Sequence, residues 1–163
     1  MPILAIAVIA EGRPQLPDLY ILGRGREIAY RDVTGQLKLL APAQDEFVVS
    51  QWFALERQAI ALAPPGACGK RYCRVVVQGQ RRIDIAYSVP SLDVACRYAD
   101  IVVSPIAGKK TCAARYLYTG HYAPHAVHAV HLGAKEGLRV VDTQQSSQRA
   151  WHVNRTTSFK GLP

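Results

Sequence analysis

The stretch RRIDIAYSVPSLDVACRYADIVVSPIAGKKTC, residues 81–112, decides the fold. Residues 82–87 alternate apolar and polar at the period of a strand. Val89-Pro90-Ser91 reads as a turn, with Ser91 placed to cap a helix over residues 92–98. Residues 100–104 (DIVVS) are a short, nearly all-apolar run, as expected of a strand buried on both faces. Strand, helix and strand in that order predict a mixed sheet within an α/β or α+β sandwich-like domain.

Working back from this block, residues 72–78 form a second strand, joined to the first at Gly79-Gln80. Residues 61–70 (ALAPPGACGK) hold two prolines and two glycines and interrupt regular structure. Before them, Pro42, Gln44 and Asp45 open a helix. Phe47, Val48, Trp52, Leu55 and Ala59 fall at helical spacing, and Asp45 and Glu46 suit the positive end of its dipole. Residues 19–22, 27–31 and 36–40 read as a three-stranded antiparallel meander. Gly23 and Gly25 permit the positive φ angles of its first turn. Forward of the block, strands are expected over residues 115–119, 126–132 and 138–142.

The ends divide from this domain, which spans residues 18–142. Residues 1–17 combine an apolar run, PILAIAVIA, with a proline-containing linker. Nine apolar residues are about half of the ~20 that cross a bilayer, so the run reads as a buried strand or as the end of a transmembrane helix. Residues 143–163 are polar and read as a partly disordered tail.

The chain has 163 residues, 49% of them hydrophobic, an ordinary globular composition. Its net charge of +8 favours polyanionic partners or an anionic membrane surface without specifying either. The basic residues are dispersed in pairs such as Lys70/Arg71, Arg81/Arg82 and Lys109/Lys110, not gathered in a run.

His121, His125, His128 and His131 lie within eleven residues, and imidazole is the commonest transition-metal ligand. Their spacing does not cohere. Pro124 and Gly120 oppose a helix, and on a strand His128 points away from both His125 and His131. A metal-dependent hydrolase using these histidines with Asp100 is therefore the alternative reading, and no metal or other cofactor is expected. No G-x-S-x-G elbow, P-loop or dinucleotide fingerprint occurs. Asp93 fits the first turn of its helix.

The four cysteines admit three readings: a zinc site, buried free thiols, or disulfides Cys68–Cys73 and Cys96–Cys112. As disulfides they would contribute about 2 and about 3 kcal/mol through chain entropy, and would require an oxidising compartment.

The segment LDVACRYADIVVSPIAGKKTC resembles the carboxy-terminal region of ComEC-type proteins, the inner-membrane DNA-uptake channels of natural competence, in their alphaproteobacterial form. The resemblance is carried by Cys68/Cys73, Cys96, Ala99-Asp100, Cys112, the segment PHAVHAV at residues 124–130 and Arg149-Ala150-Trp151. The hairpin of residues 18–40 also looks like the family's opening. The resemblance implies a degenerate, partial metallo-β-lactamase-like domain, a sandwich of sheets with outer helices. It also implies a periplasmic location beside a membrane channel that this chain lacks. Fuller members carry a histidine- and aspartate-rich metal motif after the buried strand. Here that place reads Ile106-Ala107-Gly108-Lys109, with no H-x-H-x-D-H anywhere. The resemblance therefore implies a non-catalytic accessory domain with the membrane channel, and DNA, as partners. Arg71, Arg74, Arg81, Arg82, Lys109 and Lys110 are the candidates for phosphate contact.

Overall fold

Several strands, such as those at residues 19–22, 27–31 and 101–104, are buried at consecutive positions, so both sheets need cover on both faces. The computed structural model describes residues 16–108, 112–133 and 137–142. The apolar opening run, Lys109 and Lys110, and the polar tail lie outside them. The strands are β1 (Leu19–Leu22), β2 (Glu27–Arg31), β3 (Leu37–Leu39), β4 (Tyr72–Val77), β5 (Arg81–Ala86), β6 (Ile101–Ser104), β7 (Arg115–Tyr118), β8 (Val127–Leu132) and β9 (Leu138–Asp142). The helices are α1 (Glu46–Leu55), between β3 and β4, and α2 (Val89–Tyr98), between β5 and β6.

The strands form two sheets, one antiparallel in the order β3-β2-β1-β8-β9, the other mixed in the order β4-β5-β6-β7. In the mixed sheet β4 and β5 are antiparallel, while β5, β6 and β7 run parallel. The architecture is α+β, and the mixed sheet expected from the Arg81–Cys112 block is present.

Side-chain alternation builds four layers from these two sheets. Leu19, Ile21, Ile28, Val130 and Leu132 of the antiparallel sheet meet Val75, Val77, Ile83, Ile85, Ile101 and Val103 of the mixed one. On the outer face of the antiparallel sheet, Tyr20, Leu22, Ala29, Leu37 and Ala129 receive Val49, Trp52 and Phe53 of α1. On the outer face of the mixed sheet, Ala86 and Val102 receive Leu92 and Ala95 of α2. The order of layers is helix, sheet, sheet, helix.

Three local expectations need correction. The buried stripe of α1 is Val49, Trp52 and Phe53, whereas Phe47 and Leu55 are 74% and 75% exposed. The spacing of three and four residues is as expected, but the stripe is rotated, because the antiparallel sheet contacts the face that carries Val49. The helix also stops before Ala59. Arg57 adopts φ 53°, its N–H donates to Ala54 O, and Gln58 N–H donates to Phe53 O. This is a Schellman ending with arginine in the left-handed position.

The cap of α2 is Ser88, not Ser91. Val89-Pro90-Ser91 is the first helical turn. Proline fits there because its missing N–H would have no intrahelical acceptor. Ser91 N–H donates to Ser88 Oγ at 3.4 Å, and Ser88 N–H to Ser91 Oγ at 3.1 Å, a reciprocal capping box. Asp93 consequently lies beyond the first turn.

All four described cysteines are paired, Cys68 with Cys73 and Cys96 with Cys112. The second bond ties α2 to the segment leading into β7. No helix among the described residues is long and apolar enough to cross a membrane.

Candidate functional site

Parallel strands present their carboxyl ends together, and ligands of open α/β sheets bind outside those ends. Here β5, β6 and β7 end at Ala86, Ser104 and Tyr118. The residues that follow build a rim with the tip of the β1–β2 hairpin. Tyr87 OH donates to Gly25 O at 2.9 Å, and Thr119 Oγ1 donates to Arg24 O at 2.9 Å. Gly23 N–H donates to Ala126 O at 2.7 Å, joining the same hairpin to the loop before β8.

Glycine is required at Gly23, whose φ is 57°; a Cβ there would stand 2.4 Å from Pro124 O. The amino end of α1 reaches this rim too. Arg26 bridges to Asp45 at 3.4 Å, and the buried Glu27 carboxylate accepts from Gln44 N–H and Asp45 N–H at 2.6 and 3.0 Å. Burial, reinforced by the nearby Glu27 charge, pushes the Tyr87 phenol up to about 12. At neutral pH Tyr87 is a proton donor.

The histidines divide among different surroundings. His128, the second residue of β8, points between the sheets and stacks on Tyr122 with ring centroids 3.7 Å apart. His121 meets the edge of Tyr122 at 4.6 Å and tilts against Tyr118 at 5.4 Å. His125 is exposed on the same loop. His131 stands three residues beyond His128 on β8, on the opposite face of the sheet, paired with Arg139 of β9. Burial and then the Arg139 charge lower its pKa, opposed by Asp18. Asp100 is far down the mixed sheet, at the amino end of β6, where its carboxylate accepts from Arg82 N–H at 2.7 Å. Among the described residues, no three of His, Cys, Asp or Glu stand close enough to hold a metal ion.

The place after β6 is filled by packing. Ile106 N–H donates to Ser104 Oγ at 3.1 Å, Ser104 Oγ donates to Ala86 O at 2.7 Å, and the Tyr116 hydroxyl donates to Ile106 O. Gly108 lies against the Tyr116 ring, where a Cβ would come within 2.8 Å.

The basic candidates do not share one surface. Arg71 is exposed at the rim, beside the start of β4. Arg81 and Arg82 stand at the other end of the β4–β5 hairpin, about 20 Å away at ~3.3 Å per residue. Arg81 spends its guanidinium on Leu132 O and Gly133 O, at 2.6 and 3.2 Å. Arg74 grips Asp84 with two bonds, Nε to Oδ1 at 2.9 Å and Nη2 to Oδ2 at 2.8 Å. Asp84 is fully buried, and the Tyr72 hydroxyl completes the group by donating to its Oδ2. Asp84 and Tyr72 hold Arg74 firmly protonated, and burial together with Asp84 pushes the Tyr72 phenol up to about 12. Lys109 and Lys110 lie outside the described residues.

Comparison with protein-family models, curated proteins and solved structures gives no match for this chain.

What sequence reasoning missed is the rim itself: Arg24, Arg26, Tyr87, Tyr118 and Thr119 were not singled out as neighbours. Only one signal was available. Thr119-Gly120-His121-Tyr122 follows a strand directly, and loops at strand carboxyl ends carry sites.

Proposed function

We propose that this chain is a non-catalytic accessory domain of a ComEC-like DNA-uptake protein, standing on the extracytoplasmic side of a membrane channel. One observation carries the reading: helix, sheet, sheet and helix layers lie in the order the resemblance implies, while after β6 Ile106 and Gly108 pack against Tyr116. Two disulfides support an oxidising compartment. Guidance of DNA would rest on phosphate contact through Lys70, Arg71 and Arg24 at the rim, so binding is sequence-independent and salt-sensitive.

A specific observation favours a second reading, a scaffold that contacts only protein. Among the described residues 13 Lys and Arg face 10 Asp and Glu, so five of the eight net positive charges lie elsewhere in the chain.

Titration of the full chain with single- and double-stranded oligonucleotides at low salt separates the two. Binding that weakens steeply with added salt, and weakens further in the triple variant Arg24→Ala/Lys70→Ala/Arg71→Ala, supports DNA guidance. No affinity at low salt removes it and leaves the scaffold. Metal analysis of the same preparation tests the hydrolase alternative: a stoichiometric metal lost on His128→Ala would overturn the non-catalytic reading.

A further inference from the structure

An edge strand exposes a row of unpaired N–H and C=O groups, and a sheet protein must blunt it. The edge of the mixed sheet at β4 is rich in β-formers, YCRVVV, and Val76 is 41% exposed on it. Its cover is the segment of residues 63–70, which lies alongside. Gly69 N–H donates to Tyr72 O at 2.7 Å, and Arg74 N–H donates to Ala67 O at 2.7 Å. At the other end of β4, Asp32 bridges Val77.

Beyond β4 the covering segment is held by few ties: Ala63 N–H donates to Leu39 O at 2.8 Å, and Cys68 Sγ stands 3.5 Å from Leu40 O. It carries Pro64, Pro65, Gly66 and Gly69, and contributes to the core only the part-buried Ala63, Ala67 and Cys68. Its one covalent tie is the Cys68–Cys73 bond, which fastens it to the strand it covers.

We propose that this disulfide is the clasp of an edge guard, and that its reduction opens β4 to pairing with the same strand of a second copy of this chain. A dithiol reductant supplies the chemistry. Its thiolate attacks Sγ of the half-buried Cys68, the Sγ–Sγ bond breaks, and Cys73 leaves as the thiolate and takes a proton. The second thiol of the reductant then displaces Cys68. The protein gains two thiols as the reductant becomes a disulfide.

With the guard released, the outward amides of Arg74 and Val76 are free to pair. A twofold antiparallel register centred on Val75 sets Arg74 across from Val76 and keeps like charges apart. A second copy is favoured over other extended segments because the strand is complementary to itself in this register. The inference does not depend on the functional reading above.

The test is the mass of the full chain in solution, by light scattering during size exclusion. Oxidised wild type and Cys96→Ser/Cys112→Ser are expected to be monomers, whereas Cys68→Ser/Cys73→Ser forms a concentration-dependent dimer. Adding Val76→Lys to that variant restores the monomer, and in this monomer the Arg74 amide exchanges at least about tenfold faster than in wild type. A monomeric Cys68→Ser/Cys73→Ser with wild-type protection at Arg74 overturns the proposal, as does a dimer that survives Val76→Lys. If the double serine variant fails to fold, dithiothreitol-reduced wild type and reduced Val76→Lys give the same comparison. Loss of far-UV circular dichroism in both would show the bond to be a folding requirement and also overturn the guard.

Discussion

Asp32 shows how much a single side chain can organise. Its Oδ1 accepts from Thr34 N–H, Thr34 Oγ1 and Gln36 N–H at 2.8, 2.6 and 3.1 Å, and Lys38 Nζ stands 2.8 Å from Oδ2. Burial raises its pKa, but the bonds from Lys38, Thr34 and Gln36 outweigh it, and the carboxyl falls from 3.8 to about 2. The folded state therefore binds this proton more weakly than the unfolded chain does. The contribution to stability is complete above pH 3.8 and is lost as pH falls toward about 2. Asp32→Asn is expected to lower the urea midpoint at pH 6 and to flatten its fall across that acid window. An unchanged acid limb would show that Asp32 does not drive it. Asp84 is a different case: a buried carboxylate between an arginine and a tyrosine is the kind of group catalysis uses, yet its side-chain bonds to Tyr72 and Arg74 stay within the β4–β5 hairpin.

At the scale of elements, local chemistry was legible and long-range placement was not. The β1–β2 hairpin follows from Gly23 and Gly25, which take φ of 57° and 99°. The serines around Pro90 announced a helix start. Which serine was the cap could not be read, because in a capping box both hydroxyls bond to the other residue's backbone. Pairing of β8 with β1 was invisible, since Val127 meets Leu22 across more than a hundred residues and no local pattern encodes it. The rim escaped for the same reason: it exists only once β8 has returned. The close of α1 offers a test at this scale. Arginine in the left-handed region carries strain of order 1 kcal/mol, against which glycine's extra freedom in the unfolded chain must be set. Arg57→Gly is therefore expected to raise stability by up to about 1 kcal/mol, and Arg57→Val to lower it, both read from denaturant midpoints. Destabilisation by glycine would mean that the arginine side chain contributes more than its backbone costs.

The molecule as a whole is held by one shared interior, and this determines how it must unfold. Each sheet has its own helix on the outside, but the largest cluster takes side chains from β1, β2 and β8 on one side and from β4, β5, β6 and β7 on the other. Neither sheet can keep its inner face buried without the other. The antiparallel sheet is also assembled from both ends of the described chain, with β1 paired to β2 and to β8, so it cannot form completely before the mixed sheet has been traversed. Domains of this size with a single core unfold in one step. Trp52 lies in the α1 layer, and Trp151→Phe leaves it as the only tryptophan. In that variant its fluorescence reports on the antiparallel side, while the amide exchange of Val102 and Ile83 reports on the mixed sheet. Urea should bring both to the same midpoint, and Leu19→Ala, which removes a fully buried side chain from the shared interior, should lower both midpoints together through a loss of about 2–5 kcal/mol of stability. Two separated midpoints would show that the sheets are independent units, and that the interior between them contributes less than the outer layers.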